Sequence, residues 1–325
     1  MKALIILLLT TMMCSSCAAL PAEERAFAVA LCAEKDDVWR VYGRVPTYQS
    51  GGGYMTVAGE GATLPAALSD MDAASPMRIN LSQLRLLVAD VRLAQSGELP
   101  TLLNVLSERP DMRQQCAVAL TESAVKAVAE AFRPTAGARL SKVLDLMLTA
   151  RIEQGAILPA KLADVMRMPW RQSSILTALT LQGEEIILSG GYTMEGMRLT
   201  KEEIILLSLL LGTSKAPRLN LAEGSAEVRE ASARIRLSED FALARAELTM
   251  TVASPAFTED GFGQALADAL LTLLSRLSGD GCDVLGLGRQ AVLGSRDMVQ
   301  WHALNWPEKY RGIRWEVAVN VNGSA

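Results

Sequence analysis

Two segments in the second half of the chain alternate between hydrophobic and polar positions. Between residues 231 and 237 every second side chain is apolar, and Arg234 and Arg236 stand between them. Residues 246–252 continue the pattern. Strict alternation with one polar face indicates antiparallel strands that face water on one side. A third alternating segment, residues 313–321, predicts a strand at the end of the chain.

Short apolar runs bounded by turn residues predict the other strands. The run at residues 84–89 has no polar face, which is typical of a strand buried inside a sheet. The runs at residues 174–181 and 185–192 form a hairpin-like pair around Gly183. The remaining predicted strands are residues 25–33, 38–48 and 115–120.

Apolar residues spaced three and four positions apart predict the helices. Thr63 is placed to cap a helix that runs to about residue 73, with Pro65 in the first turn. Thr200 begins another helix and forms a capping box with Glu203. The other predicted helices are residues 99–106, 122–132, 138–153, 160–168 and 258–278.

Helices and strands are interspersed without a regular βα repeat, which favours an α+β fold. We expect a multi-domain body of mixed, largely antiparallel sheets packed with helices. Half of the residues are hydrophobic, enough for a sizeable core. The formal net charge of −4 becomes −5 when Lys2 leaves with the leader, and this balance argues against nucleic-acid binding. The longest apolar run of the body, residues 204–211, is too short to span a bilayer.

The first seventeen residues have the form of a lipoprotein leader. Lys2 is followed by an uncharged apolar stretch, residues 3–13, which is too short to span a bilayer and fits a secretory signal. The small pair Ser15-Ser16 precedes Cys17, so we predict a signal peptide at residues 1–16 and lipid attachment at Cys17. Cys14 occupies the position where a lipobox usually has leucine. The alternative is an ordinary signal peptide with incidental cysteines.

Candidate residues for catalysis or metal binding are few. Cys32, Cys116 and Cys282 are far apart and odd in number, so we expect buried, unpaired thiols. His302 is the chain's single histidine, and we expect it to have a packing or surface role. A His-rich zinc site is therefore excluded, and a Ser-His or Cys-His dyad is disfavoured. We predict no catalytic residue, no metal and no cofactor.

Four further motifs have two interpretations each. Gly286-x-Gly288 lacks the rest of a nucleotide-binding fingerprint, and a tight turn explains it better. The aromatic residues near the C-terminus, Trp301, Trp306 and Tyr310, form either an exposed recognition patch or a cover for the end of the C-terminal sheet. No other functional groups converge on the acidic pairs, which we expect on the solvated surface. These pairs are Asp70 with Asp72, and Glu184 with Glu185.

The order of several short motifs resembles the Ger(x)C family, the lipoprotein C-subunits of spore germinant receptors. Residues 24–31 resemble the first strand of the family, and residues 59–68 its Gly-Glu-Gly helix start. Residues 106–113 resemble a turn of the family, and residues 191–203 a motif that leads into a helix. The last match joins residues 283–288 to the aromatic residues that follow. The chain departs from the family at Ala18-Ala19, where Trp-Asp is usual, at residues 192–194, and in a compressed region at residues 219–228.

The resemblance implies an architecture and a set of partners. It implies an α/β ectodomain of three parts at the inner spore membrane, in a receptor with two integral membrane subunits, one of the A-type and one of the B-type. We divide the chain into the signal peptide, an N-terminal Ger(x)C-like α/β region at residues 17–183, and a C-terminal Ger(x)C-like α+β domain at residues 184–325. The family has no established catalytic residues to transfer.

These inferences lead to one main hypothesis and two alternatives. The main hypothesis is a lipid-anchored, non-catalytic subunit of a nutrient-germinant receptor that acts as a scaffold or modulator. The first alternative is a stand-alone extracytoplasmic solute-binding lipoprotein, which needs a cleft with convergent polar groups. The second is an anchored hydrolase, which the lone histidine and the missing G-x-S-x-G motif disfavour.

Overall fold

A computed structural model of the chain describes residues 25–47, 53–134, 139–167, 174–221, 224–253, 259–295 and 297–324. Within these ranges the first half of the chain builds an eight-stranded mixed sheet and a two-stranded one. The strands, in chain order, are β1 (Arg25–Phe27), β2 (Ala30–Lys35), β3 (Trp39–Pro46), β4 (Tyr54–Gly61), β5 (Arg78–Asn80), β6 (Leu86–Asp90), β7 (Ala117–Thr121), β8 (Leu176–Gln182), β9 (Glu185–Tyr192) and β10 (Arg198–Leu199).

The eight strands lie in the order β10-β9-β8-β7-β6-β2-β3-β4. The four central strands β8, β7, β6 and β2 are parallel to one another, and both flanks are antiparallel. β1 pairs in parallel with β5 as a separate small sheet. All five residues of β6 are buried, which confirms the interpretation of its apolar run.

Helices cover both faces of this sheet. They are α1 (Leu64–Ala73), α2 (Val91–Gln95), α3 (Leu99–Ser107), α4 (Val125–Ala131), α5 (Leu140–Glu153) and α6 (Leu162–Arg167). Leu87 and Ala89 of β6 join the core formed with α1, α2, α3 and α6. Leu86 and Val88 join the core formed with α4 and α5. A strand that is buried on both faces has no polar positions, which explains the unbroken apolar run.

The second half of the chain forms a four-stranded sheet packed with helices. Its elements are α7 (Lys201–Leu211), β11 (Arg218–Leu221), β12 (Gly224–Leu237), β13 (Leu243–Ala253), α8 (Glu259–Gly279), α9 (Leu287–Gly294), α10 (Met298–Leu304), α11 (Trp306–Arg311) and β14 (Arg314–Ser324). The strand order is β11-β12-β13-β14, antiparallel except for the parallel pair β13 and β14. Along β13, buried residues alternate with the exposed Arg245, Glu247 and Thr249, as the period of two predicts.

Helix α7 joins the two halves. Its N-terminus has the predicted capping box, in which Glu203 N donates to Thr200 Oγ1 and Thr200 N donates to Glu203 Oε2. The helix is buried on nearly every side from Ile204 to Leu210, because residues from both sheets contribute to the same core. Leu211, at the end of the helix, is exposed. A helix that is apolar all round is one that is packed on all sides, and α7 fits that rule.

The predicted fold class is confirmed, since mixed sheets packed with helices make up both halves. The predicted strand at residues 25–33 is divided into β1 and β2. The elements that were not predicted from the sequence are β4, β5, β10, β11, α2 and the three short helices α9 to α11. The predicted boundary after residue 183 falls in the β8–β9 turn, so the large sheet continues to Leu199. The division into domains stays a prediction.

Candidate functional site

The motif at residues 283–288 forms a buried hydrogen-bond network around Asp283 at the start of α9. The Asp283 carboxylate accepts hydrogen bonds from Leu287 N at 2.8 Å, from Gly288 N at 2.6 Å and from Trp306 Nε1 at 3.1 Å. Gly286 has a φ of 70°, in the left-handed region, which fits the predicted tight turn. A Cβ at position 288 would lie 2.6 Å from Trp306 Nε1, so only glycine fits there. The motif therefore fixes the chain and does not cradle a phosphate.

The aromatic residues that follow the motif pack around this hydrogen-bond network. Trp306 and Tyr310 are buried, with ring centroids 5.7 Å apart. Phe241 meets Trp306 edge to face at 6.5 Å, and Trp301 lies against it at 6.4 Å. The interpretation of these rings as a cover for the C-terminal sheet is confirmed for Trp306 and Tyr310, and the exposed-patch alternative is wrong for both.

Burial raises the pKa of two groups in this region, Asp283 and Tyr310. It raises the pKa of Asp283 from its ordinary value to about 6, against the opposing effect of the hydrogen bonds from Gly288, Leu287 and Trp306. Burial also raises the pKa of Tyr310 well above its ordinary value. The Tyr310 hydroxyl has no hydrogen-bond partner within the described residues. Both groups are enclosed within the hydrophobic core of the C-terminal half.

The raised pKa of Asp283 predicts how stability depends on pH. Between pH 3.8 and about 6 the folded chain binds more protons at this carboxyl than the unfolded chain does. The stability that Asp283 contributes is therefore present at low pH and is lost as pH rises through about 6. The resulting decrease in the free energy of unfolding is about 3 kcal/mol. We expect urea unfolding from about pH 4 to 7 to show this decrease in the wild type relative to Asp283→Asn. Parallel profiles for the two proteins would contradict the assignment.

The predicted cysteine and histidine roles are confirmed. Cys32, Cys116 and Cys282 are buried and unpaired, and burial raises the pKa of each thiol. His302 lies on α10 and is exposed. No group of three His, Cys, Asp or Glu side chains that could hold a metal occurs in the described ranges.

The acidic pairs have structural partners at the surface. Asp70 Oδ2 accepts a hydrogen bond from Glu60 N at 2.9 Å, and Asp72 Oδ1 accepts one from Ile79 N at 3.1 Å. Glu184 forms an ion pair with Arg133 at 2.8 Å. The predicted surface location is confirmed for Asp70, Glu184 and Glu185, whereas Asp72 is half-buried. Asp70 and Asp72 also fix neighbouring backbone.

The motifs of the first half are structural as well. A Cβ at Gly59 would lie 2.2 Å from Ala67 O, so the glycine lets α1 pack directly on β4. Arg109 holds Asp111 through two hydrogen bonds of 2.9 and 3.0 Å, and Asp111 also accepts one from Leu81 N. These contacts give the residues of both motifs a structural role.

A basic cleft lies between α5 and the sheet, and it was not predicted from the sequence. Arg85, Arg113 and Lys161 line a cavity of about 360 Å³ there. An arginine directly before the apolar run of β6 was the available signal, but the three residues are distant in sequence and only the fold brings them together.

The predicted lipid-attachment residue Cys17 and its neighbour Cys14 lie outside the described residues. Among the helices that the structure describes, none combines the length and the hydrophobicity needed to cross a bilayer.

Comparisons with known proteins agree with the motifs. Residues 20–178 match a family model described as the spore germination protein N-terminal domain. The crystal structure of the GerBC protein superposes with a TM-score of 0.58 at 13% sequence identity, and the match covers 92% of this chain and 98% of that one. No curated protein matches the sequence. The structural likeness shows a shared fold, and with the family model it confirms the recognition made from the motifs. The chain is a spore germination protein of the Ger(x)C family.

Proposed function

We propose that this chain is a lipid-anchored, non-catalytic subunit of a spore nutrient-germinant receptor, where it acts as a scaffold or modulator at the inner spore membrane. The observation that carries the proposal is the match of residues 20–178 to the spore germination N-terminal domain, directly behind a predicted leader at residues 1–16 and the predicted attachment residue Cys17. The proposed partners are two integral membrane subunits, one of the A-type and one of the B-type.

The buried polar groups support a role without bond-making chemistry. The carboxylate of Asp283 is saturated by donors of its own chain. The three body cysteines are sealed in apolar cores, and burial holds their thiols in the neutral, unreactive form. His302 stands on the surface, apart from these groups.

The anchor and the body have complementary roles in this proposal. A diacylglyceryl group on Cys17 supplies two acyl chains, enough for stable attachment, whereas one chain gives only marginal binding. The packing of α7 against both sheets makes the body suitable as a rigid support. Such a body stabilises an assembly by presenting fixed surfaces to its membrane partners, because little conformational entropy is lost when it binds.

A second candidate function is a stand-alone extracytoplasmic solute-binding lipoprotein. The basic cleft beside α5 is the observation that favours it. This alternative predicts a chain that works without membrane subunits, so identification of its partners separates the two functions.

The proposed function is tested by germination of spores that lack the chain. We expect these spores to lose the response to a nutrient germinant, and to regain it when the wild-type gene is restored. As a control, the same spores should still germinate when triggered by a route that bypasses nutrient receptors. Normal nutrient germination in the deletion strain, with every paralogous copy removed, would contradict the proposal.

A further inference from the structure

The cleft beside α5 gathers three cations around one cavity. Arg85, Arg113 and Lys161, here called the basic triad, line it together with Asp145 of α5. Arg85 Nη1 lies 3.2 Å from Asp145 Oδ2. With one carboxylate against three cations, the lining carries a formal charge of +2, which favours an anionic occupant.

The backbone holds the basic triad in place. Ala117 N donates to Arg85 O at 2.9 Å, and Cys116 N donates to Arg113 O at 3.2 Å. Lys161 forms an isolated antiparallel bridge with Ala117. One short stretch of β7 and its preceding turn therefore fixes the backbone of all three residues, which keeps the triad together around the cleft.

Two donors of the triad are buried without a partner. Nε of Arg85 and Nε of Arg113 have no hydrogen-bond acceptor in the part of the chain that the structure describes. A buried donor left unpaired costs the folded chain free energy, more so when it is charged. Each guanidinium group carries further N–H donors beside Nε, and an anion in the cleft would give these donors an acceptor.

The rest of the lining is largely apolar. Its hydrophobic side, here called the apolar wall, consists of Leu148, Ile152, Ile157, Leu158 and Pro159. The exposed residues Gln115, Thr149 and Lys161 also line the cleft, so it opens to solvent. The volume of about 360 Å³ is at the small end of the range for ligand pockets.

We propose that this cleft binds a small carboxylate with an aliphatic portion. The carboxylate accepts charge-assisted hydrogen bonds from the basic triad, and the aliphatic portion packs on the apolar wall. The site goes beyond the proposed scaffold function, since it gives the subunit a ligand of its own. It is independent of Cys17 and of the membrane partners.

The test is the binding of acetate, butyrate and hexanoate to the purified full chain, followed by calorimetry and by the melting temperature. We expect affinity to rise about fourfold with each added methylene, because each one buries apolar surface. Inorganic phosphate is the comparison that lacks the aliphatic portion, and it should bind more weakly than hexanoate. The absence of saturable binding of all three acids up to about 10 mM would overturn the proposal, as would phosphate binding as tightly as hexanoate.

Three variants separate the cleft from general charge effects. Arg113→Met keeps the apolar stem and removes the guanidinium, and it should weaken hexanoate binding about 10-fold to 100-fold. The same variant should melt at a higher temperature without ligand, because an unpaired buried donor is gone.

Lys161→Gln, at an exposed position that leaves folding intact, should also weaken binding. Lys142→Gln, an exposed residue of α5 that does not line the cleft, is the matched control and should bind like the wild type. Unchanged binding by both cleft variants would overturn the proposal.

Discussion

Replacement of Cys17 by alanine is expected to move the chain from the membrane fraction to the soluble fraction. The thiol of Cys17 is the predicted attachment point of the diacylglyceryl group, and no described helix is long and apolar enough to cross the membrane in its place. Loss of two acyl chains removes nearly all of the membrane affinity, since each buried methylene contributes about 0.8 kcal/mol. The measurement is fractionation of cells that produce either protein, followed by detergent phase partitioning of each fraction.

Cys14→Ala is the matched control for this experiment. It removes a cysteine three residues away and leaves Cys17 in place, so the chain should remain in the membrane and in the detergent phase. If the Cys17 variant still enters the detergent phase by itself, the predicted anchor is wrong. If it sediments with membranes but leaves them under a salt wash, polar contacts with protein partners contribute to its attachment.

Replacement of Trp306 by alanine is expected to cause the largest loss of stability among single substitutions in the C-terminal half. Trp306 is 2% exposed and is the largest of the fully buried side chains in the described residues. Its loss would leave a cavity among Phe241, Trp301 and Tyr310, and would remove one donor from Asp283. We expect a decrease of about 3–5 kcal/mol in the free energy of unfolding, measured by urea titration.

Two further variants show which part of this effect comes from the hydrogen bond. Trp306→Phe keeps most of the ring volume and removes the indole N–H, so it should cost about 1–3 kcal/mol. Leu293→Ala, at a side chain that is 79% exposed on the neighbouring α9, should change stability by less than about 0.5 kcal/mol. A Trp306→Ala protein as stable as the Leu293→Ala protein would refute the role of this cluster.

Elements with strong local signals could be predicted from the sequence. The capping box of Thr200 and Glu203 places the start of α7 correctly, and the alternation around Arg245 and Glu247 places β13 with its solvent face. These patterns are set by backbone periodicity and by hydrogen bonds between near neighbours, which the sequence displays directly.

Elements that depend on distant contacts could not be predicted in this way. Helices α9, α10 and α11 are short, with three residues between the first two and one between the last two, and the packing of Trp306 holds them in place. The strand β4 contains Gly59 and Gly61, which weaken its strand signal but allow α1 to approach. The roles of both glycines follow from helix packing, which sequence periodicity does not show.

The candidate sites follow the same division. The position of Cys17 behind an apolar stretch can be recognised from the sequence alone, and it stays a prediction. The motif around Asp283 was recognised from the sequence. Its structural role became clear only from the three donors that converge on the Asp283 carboxylate. For the basic triad the sequence offered only Arg85 before the apolar run of β6, because the three residues come together only through the pairing of β6 and β7 and the bridge at Lys161.

Purification of the tagged chain from the inner membrane of spores, in mild detergent and with protein identification by mass spectrometry, tests the central claim most directly. The account predicts that two integral membrane proteins, one of the A-type and one of the B-type, copurify with a chain whose N-terminus is a lipidated Cys17. A chain that purifies without membrane partners, or whose mature N-terminus carries no lipid, would contradict it.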